Sequence, residues 1–119
     1  ASIYLARGEY SRAREIMEAS WQAGNRDPGT RLLYGDALVA TGEPAQAAQV
    51  IGGLPFAVER LEGQAWSRYQ AREEWEQLAY AYEAIGLVTG NVETALDRVN
   101  EARERAGLAP LEALPGSSR

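Results

Sequence analysis

The feature that most limits the fold is a set of helix signals that occurs twice, 34 positions apart. Gly8-Glu9-Tyr10 is followed by Ala13, and Gly42-Glu43-Pro44 is followed by Ala47. In each copy a turn glycine precedes a helix whose small residue falls five positions after that glycine. A period of about 34 residues with a helix–turn–helix texture is typical of arrays in which each helix pair stacks on the next. The sequence therefore predicts stacked helical hairpins.

The composition agrees with a helical domain and excludes several kinds of site. Hydrophobic residues make up 45% of the 119 residues and β-branched residues are sparse, which favours helix. Because the chain has no cysteine and no histidine, disulfides, zinc sites and imidazole-based catalysis are excluded. We accordingly predict no metal and no cofactor.

The charge pattern limits the class of partner. A net charge of −5 argues against a nucleic-acid or anionic-membrane surface. Every basic residue is arginine, which fits a GC-rich bacterial genome; the alternative is that these guanidinium groups pair with carboxylates in an interface. The chain has no signal peptide and no apolar run of about 18 residues. We expect no direct membrane contact and a cytoplasmic location.

The chain begins within a segment that the pattern predicts to be helical, at Ala1-Ser2-Ile3-Tyr4-Leu5. We therefore interpret it as a piece of a longer protein. If that protein is anchored in a membrane, a periplasmic or other extracytoplasmic location is the alternative.

Seven helices are predicted, each bounded by glycine, proline or an N-cap residue. Asp27-Pro28 is a clear start, because the carboxylate can cap free N–H groups and proline lacks the N–H that would be unpaired there. Gly52-Gly53-Leu54-Pro55 is the strongest break. The predicted helices cover residues 1–7, 10–23, 28–40, 44–52, 56–70, 73–87 and 92–106. Residues 1–107 are predicted to form the helical domain and residues 108–119 an irregular tail.

Residues 1–54 resemble the tetratricopeptide repeat family, in which each repeat is an antiparallel pair of helices, A and then B. In the second copy the matching residues are Tyr34, Gly35, Leu38, Gly42, Ala47, Ile51 and Leu54. In the first copy they are Tyr4, Gly8, Ala13, Met17 and Ser20, closed by Pro28. The second copy departs from the family at Arg31, where a tryptophan is expected. The resemblance implies an all-α fold, a right-handed α-solenoid of about three repeats and about seven helices.

The pairing of the helices after Pro55 has two interpretations. In the first, Trp75 to Gly86 resembles a helix A and residues 91–102 a helix B, which leaves the helix at 56–70 unpaired. In the second, the helix at 56–70 is the A helix, the helix at 73–87 is its B helix, and the last helix is a solvating cap. The second is favoured because strict alternation of A and B packs more easily than an unpaired helix.

The resemblance implies a module for protein–protein interaction. In the family, A-helix side chains line a concave groove that holds an extended peptide or a helix of a partner protein. Carried over to this sequence, the groove residues are Leu32, Asp36, Val39, Glu59, Glu62, Trp66 and Tyr69. Acidic residues beside aromatic ones would suit a partner segment with basic residues and an apolar anchor. The alternative for Trp66 and Tyr69 is that both pack against neighbouring helices.

Two other classes of function were weighed. The domain could drive homodimer formation, or act as an accessory or scaffold domain at the C-terminus of a larger enzyme or membrane-associated protein. Carboxylates are the only candidates for catalysis, namely Glu59 with Glu62 and the cluster Glu73, Glu74 and Glu76. Because carboxylates three residues apart on one helix face the same way and flank no obvious substrate site, and because acidic helix starts usually serve the helix dipole, no enzyme activity is predicted.

Overall fold

The computed structural model describes residues 2–115, and every regular element in this range is helical. The elements are α1 (Ser2–Ala6), α2 (Tyr10–Gln22), α3 (Pro28–Ala40), α4 (Pro44–Ile51), α5 (Ala57–Gln64), a π-helix (Ala65–Gln70), α6 (Trp75–Thr89) and α7 (Val92–Arg105). The π-helix continues α5, so the two form one α5–π segment, residues 57–70. The all-α prediction and the seven predicted helices are confirmed.

The turns of the two predicted repeats have the same geometry. Gly8 and Gly42 have φ of 79° and 88°, a left-handed conformation that glycine adopts without a steric penalty. The amide after each glycine donates a hydrogen bond to the carbonyl five positions earlier, at 2.8 Å in both turns (Glu9 to Tyr4, Glu43 to Leu38). This is the Schellman pattern that ends many helices. The hairpins α1–α2 and α3–α4 therefore turn in equivalent ways, as the period predicts.

The N-cap of α3 is also as predicted. Asp27 Oδ2 accepts a hydrogen bond from the backbone N–H of Thr30 at 3.1 Å, and its Oδ1 accepts one from the Thr30 hydroxyl at 2.8 Å. Pro28 occupies the first helical position. The local signals alone thus fix where the central helix of the molecule begins.

Two predicted helix starts are early by one or two residues. Phe56 and Glu73 have φ of 66° and 58°, so neither can be the first residue of a right-handed helix. The helices begin instead at Ala57 and Trp75. Of the three glutamates assigned to the N-terminal dipole of α6, only Glu76 lies in its first turn.

The core is built around α3. Every residue from Tyr34 to Ala40 is buried, because α2, α4, α5 and α6 all pack against this helix. A Cβ atom on Gly35 would lie 2.5 Å from Ile51 Cγ2, so glycine allows α3 and α4 to approach closely. Gly86 has the same role between α6 and α7, where an added Cβ would lie 2.5 Å from that of Ala95.

The α5–π segment runs back toward the two glycine turns before α6 begins. Just after the segment, Arg72 Nη2 donates a hydrogen bond to the Ala6 carbonyl at 2.9 Å. Early in α6, the Tyr80 ring lies 3.3 Å from where a Cβ of Gly42 would be. This direction is the one that an A helix takes in the favoured pairing. However, α6 packs directly against both α3 and α4. The segment therefore does not lie between α4 and α6.

Residues 108–115 form no helix, and they pack onto the end of the array. Leu114 is buried, and its Cδ1 would lie 2.8 Å from a Cβ on Gly86. The side chain of Asn100 donates to the Leu111 carbonyl at 3.0 Å and accepts from the Leu111 N–H at 2.8 Å. This part of the predicted tail therefore belongs to the packed structure.

Candidate functional site

The seven predicted groove residues do not share one open surface. Asp36, Val39 and Tyr69 are 3%, 1% and 0% exposed, so none of them is accessible to a partner. The other four are accessible to different degrees: Leu32 and Glu62 are half-buried, and Glu59 and Trp66 are exposed. The face of α3 on which a groove was predicted is covered by the chain itself.

Asp36 is covered because Arg60 of α5 packs over its carboxylate. Arg60 Nη2 and Nε both donate to Asp36 Oδ2, at 2.6 Å and 3.0 Å. Burial raises the pKa of the Asp36 carboxyl, and the Arg60 guanidinium opposes that rise. Sequence reasoning did not identify Arg60. The available signal was Asp36 itself, a charged residue in the otherwise uncharged run from Leu32 to Ala40, since a buried carboxylate requires a cationic partner.

Tyr69 holds the other end of the segment against α2. Its ring lies edge-on to that of Tyr10, with ring centroids 6.2 Å apart and an interplanar angle of 80°. The Tyr10 hydroxyl donates a hydrogen bond to the Glu74 carboxylate. Burial, followed by this bond and the charge of Glu74, raises the pKa of Tyr10 to about 12. Tyr69 therefore packs against its neighbours, as the alternative interpretation held.

Three of the four accessible predicted residues share the outward face of the segment, whereas Leu32 lies on α3. Glu59, Glu62 and Trp66 are spaced by three and four positions, which places them on one side of a helix. The opposite side carries the buried residues Ala57, Leu61, Ala65 and Tyr69. Trp66 is 51% exposed, so this acidic and aromatic face is open to a partner.

Glu62 of this outward face also lines a groove that runs across α6, with the α5–π segment and α7 as its walls. One part, of about 210 Å³, is lined by Glu62, Tyr82, Ile85 and Arg98 among others. It continues past Tyr82 and Arg98 into a smaller part of about 100 Å³ beside Trp75 and Arg105. The guanidinium carbon of Arg98 lies 5.7 Å from the centre of the Tyr82 ring, and that of Arg105 lies 5.0 Å from the centre of the Trp75 ring. The groove thus combines aromatic floor residues with charged walls.

The α7 wall of this groove was not identified from the sequence. Arg98 and Arg105 lie on the last helix, which the favoured pairing treated as a solvating cap. Their positions depend on the close contact between α6 and α7, and the spacing of charges along α7 does not reveal that contact.

Across residues 2–115, no three acidic side chains are grouped so that they could hold a metal ion. In the same range, no helix combines the length and the apolar composition that a membrane crossing requires.

Comparison with models of known protein families gives a match to a tetratricopeptide repeat model over residues 4–74. The matched range is more than half of the chain and includes both glycine turns, the Asp36–Arg60 pair and the α5–π segment. Comparisons with curated proteins and with solved structures give no match.

Proposed function

Because this chain belongs to the tetratricopeptide repeat family, whose members generally mediate protein–protein interaction, we propose that it is a non-catalytic module that binds a peptide or helix of a partner protein. The proposed contact surface is the outward face of the α5–π segment, Glu59, Glu62 and Trp66, together with the groove across α6. The partner segment contains basic residues and an apolar anchor.

The observation that carries this proposal is the half-exposed indole of Trp66 on the same helix face as Glu59 and Glu62, the second of which lines an open groove. Tryptophan is enriched at interface positions that carry most of the binding energy, because its large rigid ring loses little entropy on binding. Glu59 and Glu62 on the same face attract a basic segment and set its orientation. Tyr82 in the groove floor supplies a second aromatic surface beside them.

The proposal is tested by selecting binders from a displayed library of short random peptides. The selected peptides should pair arginine or lysine with a large apolar residue. Trp66→Ala should weaken their binding by about tenfold or more, the loss typical of a central interface residue. Because Trp66 is half-exposed, the melting temperature should change by only a few degrees, measured by circular dichroism.

Phe56→Ala is the matched control, since Phe56 is a 75% exposed aromatic residue that precedes the first residue of α5. It should leave peptide binding unchanged. Equal binding by wild type and Trp66→Ala would contradict the proposal. So would a loss of stability that matches the loss of binding, because Trp66 would then belong to the core.

A further inference from the structure

The α5–π segment covers the inner face of the repeats, the side of α3 that carries Asp36, in the way that a bound helix would. Its buried stripe, Ala57, Leu61, Ala65 and Tyr69, is at most 4% exposed at every position. Arg60, next to this stripe, forms an ion pair with Asp36 on the face of α3 where the family's groove positions fall. The segment thus makes both the apolar and the charged contacts that an amphipathic ligand helix would make.

The segment is joined to the rest of the chain through strained backbone. Phe56 and Glu73, which flank it, both adopt the left-handed conformation that side chains disfavour. Its second half is a π-helix, a geometry that is rare and often found at functional sites. These features make docking of the segment less favourable than docking of an unstrained α-helix would be.

The segment also docks with polar atoms left without partners. Gln64 Oε1, Arg68 Nη1 and Tyr69 Oη are buried and have no hydrogen-bond partner among the described residues. Each such atom loses its contact with water without gaining an equivalent one. All three atoms belong to the segment, so these unpaired buried polar groups are concentrated where the segment packs against the other helices.

The remaining helices pack on one another without the segment as an intermediary. α6 packs directly against α3, α4 and α7, and α2 packs against α3. The connections at either end contain residues with positive φ, namely Gly53 and Phe56 before the segment and Glu73 after it. The rest of the array thus has direct helix–helix contacts that do not pass through the segment.

We propose that the α5–π segment is a displaceable internal occupant of the inner face, and that an amphipathic helix of a partner protein takes its place. The partner helix has small and aliphatic residues at intervals of four, like Ala57, Leu61 and Ala65. It also has an arginine that meets Asp36. Arginine is favoured over lysine because the guanidinium can donate two hydrogen bonds to a carboxylate that would otherwise be buried and uncompensated.

This inference concerns the surface beneath the segment, whereas the proposed function above concerns its outward face. The two can fail separately. If Trp66→Ala did not weaken peptide binding, the proposed function would fail and the inner-face proposal would still stand. The reverse also holds.

The first test is hydrogen exchange of the wild-type chain, which does not depend on any variant folding. Amides of residues 57–70 should exchange at least about tenfold faster than those of α3 and α6, because the segment opens locally while the array remains folded. Equal protection of all three would overturn the proposal, since the segment would then open only on global unfolding.

The second test uses a labelled synthetic peptide with the sequence of residues 56–72 as the probe. Wild type should bind it weakly, because the tethered segment competes at an effective concentration on the order of millimolar. Arg60→Ala in the protein should strengthen peptide binding by about tenfold or more, since it loosens the internal competitor. A peptide carrying Arg60→Glu should not bind.

Arg12→Ala is the control, because Arg12 is an exposed arginine on α2, away from the segment. It should leave peptide binding at the wild-type level. Absence of peptide binding by the Arg60→Ala protein would overturn the proposal. Light scattering that shows a dimer of Arg60→Ala would also overturn it, because the inner face would then take a second copy of this chain.

Discussion

Single polar side chains fix both ends of the α5–π segment. Arg60 binds Asp36 on α3, and Tyr10 on α2 binds Glu74 just beyond the segment. Asp36 was predictable as an unusual residue, because it is charged within an apolar helix. Its partner was not, since the pair is separated by 24 residues in the chain and nothing in the spacing distinguishes Arg60 from other arginines. Local patterns specify faces, whereas partners across the core depend on the tertiary fold.

The tyrosine at the start of α2 predicts a specific loss of stability in alkali. The pKa of Tyr10 is raised from 10.0 to about 12 in the folded chain. The stabilisation that this shift represents is present below pH 10 and is lost as the pH rises through about 12, because the unfolded chain ionises first. Urea unfolding should therefore show stability falling between these values.

Tyr10→Phe should reduce that fall, because the variant has no hydroxyl to ionise at this site. At neutral pH the variant should be about 1 kcal/mol less stable, the usual net contribution of one hydrogen bond. Part of the alkaline loss should remain, since the pKa of Tyr80 is also raised to about 12 by burial and its bond to Glu76. An unchanged alkaline profile in Tyr10→Phe would contradict the assignment.

At the scale of the helices, the π-helix explains why Trp66 and Tyr69 point to different sides. Both were predicted to line one groove, as residues three apart on an α-helix do. In a π-helix each residue turns through a smaller angle, so residues three apart diverge further and residues four apart stay closer in line. Tyr69 therefore follows Ala65 into the core while Trp66 faces outward. The run Ala65–Gln70 contains no glycine or proline that could have indicated this change, although the helix itself was predictable from its periodicity.

The close contact of α6 and α7 predicts opposite effects for two glycine-to-alanine substitutions. Gly86→Ala should destabilise the protein by about 1–3 kcal/mol, because the new methyl group meets Ala95 at 2.5 Å and the helices must separate. Gly63→Ala should stabilise it by about 0.5–1 kcal/mol, since nothing lies within 4 Å and alanine favours helix.

Urea denaturation of both variants measures this difference, and Gly63→Ala serves as the control for the change of residue type. Equal effects in the two variants would show that helix propensity, not packing between α6 and α7, decides the outcome at Gly86.

On the scale of the whole molecule, the helices form a compact array of stacked helices. The radius of gyration is 13.3 Å and the principal extents are 37 × 32 × 20 Å, close to the radius expected for a compact domain of this length. The period of the glycine turns was enough to predict stacked hairpins. It could not predict that the α5–π segment would pack over Asp36 of α3, because that depends on contacts between distant residues such as Asp36 and Arg60.

The packing of residues 108–115 onto α6 and α7 predicts that the C-terminal end contributes to stability. Leu114→Ala should cost about 2–3 kcal/mol, the usual range for removing a buried leucine side chain. Glu112→Ala is the matched control, because Glu112 lies two positions away and is exposed. Its free energy of unfolding in urea should be within about 0.5 kcal/mol of wild type. A negligible cost at Leu114 would mean that this end contributes nothing to folding.

Residues 34–40 of α3 are enclosed on all sides, and this limits which substitutions the sequence can accept. An ordinary surface helix has a solvent side on which residues can drift freely. From Tyr34 to Ala40 this helix has no such side, so seven consecutive codons are restricted to residues that fit their neighbours. Substitutions that adapt the protein to new partners must therefore arise on the outer helices, while residues 34–40 of α3 stay constant.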